Sequence, residues 1–124
     1  MSLNGAVSAP VALVVEDEDL VRMMAMDMLE EAGFAVLEAA TADAALQILE
    51  GRADISLVFT DVEMPGSMNG FALARHVASR WPMIRVVVAS GRCYATPGEI
   101  PPHVPFLRKP YYEAQLADAI KGAA

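Results

Sequence analysis

The sequence is poor in the residue types that most often announce a chemistry or a compartment. One cysteine, Cys93, leaves no internal disulfide to hold a small secreted fold together. The two histidines, His76 and His103, lack the partners that a metal site or a nucleophilic triad requires, so both read as structural. Nine basic residues against sixteen acidic ones, a net charge of −7, are too few to displace counterions from a phosphate backbone. Direct nucleic-acid binding is therefore not expected. No uncharged run approaches the ~20 residues that cross a bilayer, and no basic segment followed by an apolar one opens the chain. The expectation is a soluble domain in the cytoplasm with no membrane contact.

What is present is apolar residue in quantity. At 124 residues and 55% hydrophobic content the chain suits one domain with a core, and not a disordered segment. The acidic excess is concentrated in the first half, where residues 1–62 hold twelve acids and two arginines, while residues 63–124 hold four acids and seven bases. Acids gathered that densely imply either a solvated face or a cation site.

The apolar period alternates between strand and helix lengths. Residues 1–10 read as a flexible tail, and the domain as residues 11–124. Strands are expected at Val11–Val15, Phe34–Glu38, Ile55–Thr60, Ile84–Ala89 and Val104–Leu107. Between them, helices are expected from Leu20 to about Ala32, after the capping Thr41 up to Gly51, from about Gly70 to Arg80, and over 112–121. Glu18 and Asp19 charge the start of the first helix favourably. Strands apolar along their whole length, alternating with helices, imply a parallel sheet covered on both faces, with ligands at the carboxyl ends of the strands.

At those ends stand Glu16 and Asp17, then Asp61, Ser90 and Lys109. Carboxylates brought to ~4 Å repel by around 4 kcal/mol at an effective dielectric of ~20, so a cation must compensate them. Mg²⁺ suits an all-oxygen set, and Lys109 suits a phosphate oxygen.

These segments resemble the receiver domain of two-component response regulators, over about residues 11–121. Val14-Val15-Glu16-Asp17 resembles the family's acidic pair, and Phe59-Thr60-Asp61-Val62-Glu63-Met64-Pro65-Gly66 its phosphoacceptor segment. Val88-Ala89-Ser90-Gly91 and Phe106-Leu107-Arg108-Lys109-Pro110 are similar to its switch and Lys-Pro motifs. The resemblance implies a flavodoxin-like doubly wound α/β fold, a five-stranded parallel sheet in order 2-1-3-4-5. It implies that Asp61 takes a phosphoryl group from a sensor histidine kinase or a histidine phosphotransfer protein. Glu16, Asp17, Asp61 and the backbone carbonyl of Glu63 would hold Mg²⁺, and Ser90 and Lys109 the phosphoryl oxygens. Phe106 would be the aromatic switch residue, and Lys109-Pro110 a cis peptide. Output would pass to a downstream protein or to a second copy as a homodimer, since no effector is contained in these residues. The chain would be a single-domain regulator or a receiver cut from a larger protein. The alternative is a Mg²⁺-dependent phosphohydrolase of the haloacid-dehalogenase kind, with Asp61 as nucleophile and Glu63 as its acid.

Three features depart from the family pattern. The loop Met64–Gly70 is one residue longer than the common form. Pro97, Pro101, Pro102 and Pro105 fall where a fourth helix belongs, and a proline inside a helix costs ~3 kcal/mol, so a loop or single turn is expected there. Glu63 and Arg92 flank the site and would modulate the dephosphorylation rate, pairing across its mouth. Beyond the site, Tyr94, Tyr111, Tyr112 and Trp81 offer an exposed aromatic patch.

Overall fold

A computed structural model describes residues 9–92 and 98–123. Among these residues nine elements follow in order: β1 (Val11–Val15), α1 (Asp19–Glu31), β2 (Ala35–Ala39), α2 (Ala42–Gly51), β3 (Ile55–Asp61), α3 (Gly70–Arg80), β4 (Arg85–Ser90), β5 (Phe106–Arg108) and α4 (Glu113–Ala119). The strands form one parallel sheet in the order β2-β1-β3-β4-β5, the expected doubly wound α/β architecture.

Two cores sit on the two faces of the sheet. One is built by α2 and α3, through Ala45, Leu49, Leu73 and Val77, against Leu13, Val15, Val58 and Val88. The other is built by α1 and α4, through Ala25, Leu29, Leu116 and Ala119, against Val14, Leu57, Phe59 and Val87. Alternate residues of β1 and β3 thus serve opposite faces, and this is why both strands are apolar throughout.

Local chemistry fixes the element ends. The Thr41 hydroxyl accepts the Ala44 N–H at 3.1 Å, and Asn69 Oδ1 accepts that of Ala72 at 2.9 Å, capping α2 and α3. Glu18 is the N-cap residue of α1 without a side-chain cap bond, and Asp19 instead pairs with Arg22 at 2.8 Å. His76 lies edge-on to Trp81, a packing role.

Several expectations need correction. Pro10 is not part of a free tail, because its carbonyl accepts the Ala35 N–H at 2.8 Å; the rest of the tail, residues 1–8, lies outside the described residues. Phe34 closes the turn that follows α1, its N–H bonded to the Leu29 carbonyl, so β2 begins one residue later. Strand β5 covers Phe106–Arg108 and not Val104–Leu107, since Pro105 has no N–H to give a ladder and Val104 turns into the core. The last helix is shorter than 112–121. Between β4 and β5, no helix occurs among the described residues, as the prolines require. Ile100 and Val104 pack there onto the α2–α3 side of the sheet. Cys93, Tyr94 and Pro97 lie outside the described residues. Trp81 does not join Tyr111 in the expected aromatic patch: it precedes β4, whereas Tyr111 follows β5, at the other end of the parallel sheet, half-buried against Phe59.

Candidate functional site

The register of the sheet assembles the site. Val15 pairs with Thr60, Asp61 with Ala89, and Ser90 with Arg108, so the next residues along, Glu16, Val62, Gly91 and Lys109, leave the sheet at one rim. Backbone bonds extend the ladder past the strands: Glu16 N–H to Ala39 O at 3.0 Å, Val62 N–H to Ala89 O at 3.1 Å, and Lys109 N–H to Ser90 O at 2.9 Å. Residues 93 positions apart in sequence thereby become neighbours.

Asp61 closes β3 with 7% of its surface exposed, and Glu16 beside it has 5%. The Lys109 ammonium reaches both, at 2.7 Å from Asp61 Oδ1 and 3.0 Å from Glu16 Oε1. The other Glu16 oxygen, Oε2, accepts the Glu18 N–H at 3.0 Å, which holds the carboxylate toward the site. Burial pushes the Asp61 carboxyl up to about 6, against the pull of Lys109, with Glu16 and Glu63 adding repulsion. Burial works against the Lys109 charge as well, but its bonds to Asp61 and Glu16 outweigh that and raise it. Burial likewise raises the Tyr111 phenol next to them.

Glu16, exposed Asp17 and Asp61 each offer one oxygen, and the three lie within 4.8 Å of one another. An all-oxygen, anionic set with two members buried and one open to water fits a hard divalent cation. The charge left over after Lys109 favours the same occupant.

On the other side of Asp61, Ser90 is fully buried at the end of β4. Its hydroxyl donates to Glu63 Oε2 at 2.6 Å and accepts the Arg92 N–H at 3.1 Å. The expected ion pair between Glu63 and Arg92 is therefore replaced. Glu63 turns inward to Ser90, and Arg92 approaches through its backbone. Phe106 stacks on Phe71 of α3, with ring centres 6.1 Å apart. The Lys109–Pro110 peptide is cis.

Two supports escaped the reading of the sequence. Gly70 packs so tightly beneath the site that a Cβ there would overlap the Asp61 carbonyl, lying 2.7 Å from its carbon and 2.8 Å from Val62 Cα. The signal was a glycine at the first position of a helix, right after the capping Asn69. The longer loop is anchored by the Ser67 hydroxyl, which bonds Asp43 of α2 at 3.0 Å, and is turned by Gly66 at φ 106°.

Comparison with known proteins gives the same assignment. The family model for the response regulator receiver domain matches residues 12–121. The sensor kinase CckA of Brucella abortus (strain 2308) is 37% identical over 113 residues, covering 88% of this chain and 12% of that protein. The chain thus spans about an eighth of that relative's length. A response regulator receiver protein from Sinorhizobium medicae WSM419 superposes with a TM-score of 0.84 at 26% identity, covering 95% of this chain and 96% of that one. The receiver domain of the hybrid histidine kinase CckA superposes at 0.72 with 35% identity, over 91% of this chain and 97% of that domain. A phosphohydrolase is not favoured by these matches, and Glu63, its required acid, is engaged by Ser90. Sheet order, rim and relatives agree that the chain belongs to the response regulator receiver domain family.

Proposed function

We propose that Asp61 is the phosphoacceptor of a Mg²⁺-dependent signalling switch, charged by a sensor histidine kinase or a histidine phosphotransfer protein. The observation that carries this reading is the buried carboxylate of Asp61, flanked by Glu16 and Asp17 and bonded to Lys109. One Asp61 oxygen attacks the phosphorus of a phosphohistidine, the P–N bond breaks, and the imidazole leaves with its electron pair and takes up a proton. Glu16, Asp17, Asp61 and the Glu63 backbone carbonyl would hold Mg²⁺, whose contribution is to neutralise charge on the transferring group. Lys109 bonds a phosphoryl oxygen, and Ser90 donates to another. Water attack on phosphorus later breaks the new P–O bond and returns the carboxylate with inorganic phosphate. The domain catalyses only its own phosphorylation and dephosphorylation, with Glu63 and Arg92 setting the rate of the second.

The phosphoryl group adds about −1.5 to −2 charge and three strong acceptors, enough to draw Ser90 inward and let Phe106 follow. A cytoplasmic partner that delivers the group must reach this rim. Beside it, α1 exposes Leu20, Met23 and Met24, and Met24 shares with Lys109 and Tyr111 a groove of about 310 Å³. That apolar face would seat the donor protein, and the Ser90–Phe106 side would address the downstream protein.

Intact-mass measurement after acetyl phosphate treatment with Mg²⁺ tests the reading. The wild type should gain one phosphoryl group and Asp61→Asn none. Labelling that persists in Asp61→Asn, or none in the wild type, overturns it.

A further inference from the structure

Ser90 faces two claims on one proton. Its buried hydroxyl donates to Glu63 Oε2 at 2.6 Å, and the Arg92 N–H fills one of its lone pairs at 3.1 Å. A hydroxyl carries a single hydrogen, and a bond to a carboxylate at this length is charge-assisted and stronger than one to a neutral acceptor. To donate to a phosphoryl oxygen on Asp61, Ser90 must first release Glu63. Both rivals are anionic oxygens carried by the same stretch of chain, since Asp61 ends β3 and Glu63 lies two residues beyond it.

We propose that the Glu63 carboxylate is an internal competitor of the phosphoryl group for the Ser90 hydroxyl, a latch that holds the switch at rest. The inference rests on the phosphoacceptor reading of Asp61 and gives the Glu63 side chain a positioning role in the resting state, before any phosphoryl group arrives. A ligand whose binding state is fractionally populated binds more weakly by that fraction. While Glu63 holds Ser90, the state that receives the phosphoryl group is the minor one. Removing the carboxylate raises its population. The phosphoryl group prevails once attached because it brings more charge and more acceptor oxygens, and Lys109 stands beside it.

Plain repulsion between Glu63 and the phosphoryl group would also weaken binding, but it would not depend on Ser90. A double-mutant cycle separates the two. Beryllofluoride, a phosphoryl analogue, is titrated with Mg²⁺ into wild type, Glu63→Ala, Ser90→Ala and the double variant, followed by ¹⁹F NMR. Glu63→Ala should tighten binding roughly tenfold when Ser90 is present and only by the smaller share due to repulsion in the Ser90→Ala background. Glu63→Gln, which keeps an acceptor oxygen without charge and guards against misfolding of the alanine variant, should fall between. The Arg92 amide, bonded to Ser90, should shift in ¹⁵N NMR spectra of ligand-free Glu63→Gln. Equal tightening in both backgrounds, no tightening, or an unmoved Arg92 amide each overturns the latch and leaves the phosphoacceptor reading standing. A wild type that binds no beryllofluoride overturns that reading, and the latch with it.

Discussion

Asp61 stands between two unlike neighbourhoods. Toward β1 and β5, charge meets charge: Glu16 and Asp61 share the Lys109 ammonium, and the two carboxylate side chains are almost fully buried. Toward β4, a neutral hydroxyl meets a half-buried carboxylate, Glu63, with a backbone N–H behind it. The first side fixes charge in place, because parting any member strands an ion away from water. The second holds a bond that can be exchanged at little cost. Stability and switching are thus drawn from different sides of one aspartate.

Removing the cation should test the contrast most severely. Lys109→Met leaves two buried carboxylates uncompensated and should cost about 3 kcal/mol in chelator, read from urea unfolding, with Mg²⁺ recovering part of it. A loss no larger than that of Ser90→Ala would erase the difference between the sides. Gly70→Ala strikes the floor that both sides share and should cost about 2 kcal/mol, seen as a lower Tm. An unchanged Tm would mean that α3 can move away from the Asp61 carbonyl freely.

Asp61→Asn reaches the charged side alone. The Asp61 carboxyl titrates at about 6 when folded and near 3.8 when unfolded, so the folded protein holds the extra proton between those values. Stability in chelator therefore falls as pH rises from about 4 to 6 and is level above. Asp61→Asn should be the more stable protein at pH 7.5 by about 1 kcal/mol, a gain that fades toward pH 4. A gain that is the same at both pH values would assign it to something other than the buried charge. Ser90→Ala should cost least, under about 1 kcal/mol, because water can reach the released Glu63.

Much of the charged side could be read in the sequence. Glu16 and Asp61 each follow an apolar run rich in β-branched residues, Lys109 follows the short Phe106–Arg108 strand, and parallel strands deliver such residues to one rim. The other side resisted. Whether Glu63 turns to Arg92 or to Ser90 is a choice of side-chain rotamer, and spacing carries no trace of it. Gly70 was read as a helix start, because closeness to the Asp61 carbonyl depends on where α3 meets β3. That no helix stands among the described residues between β4 and β5 was legible from prolines, whose effect is local. The exact start of β5 was not, since Val104 suits a strand equally well but is drawn into the core.

Strand β5 has three residues and pairs on one side with β4. Its last residue is followed directly by Lys109, whose ammonium grips Asp61 at the centre of the sheet. A short edge strand is the natural place for a fold to fray, and here fraying would also pull the counter-ion from two buried acids. Docking of the last strand and neutralisation of the site are consequently a single cooperative event. A ligand that tightens the hold on Lys109 should slow amide exchange along β5, at backbone groups it never touches.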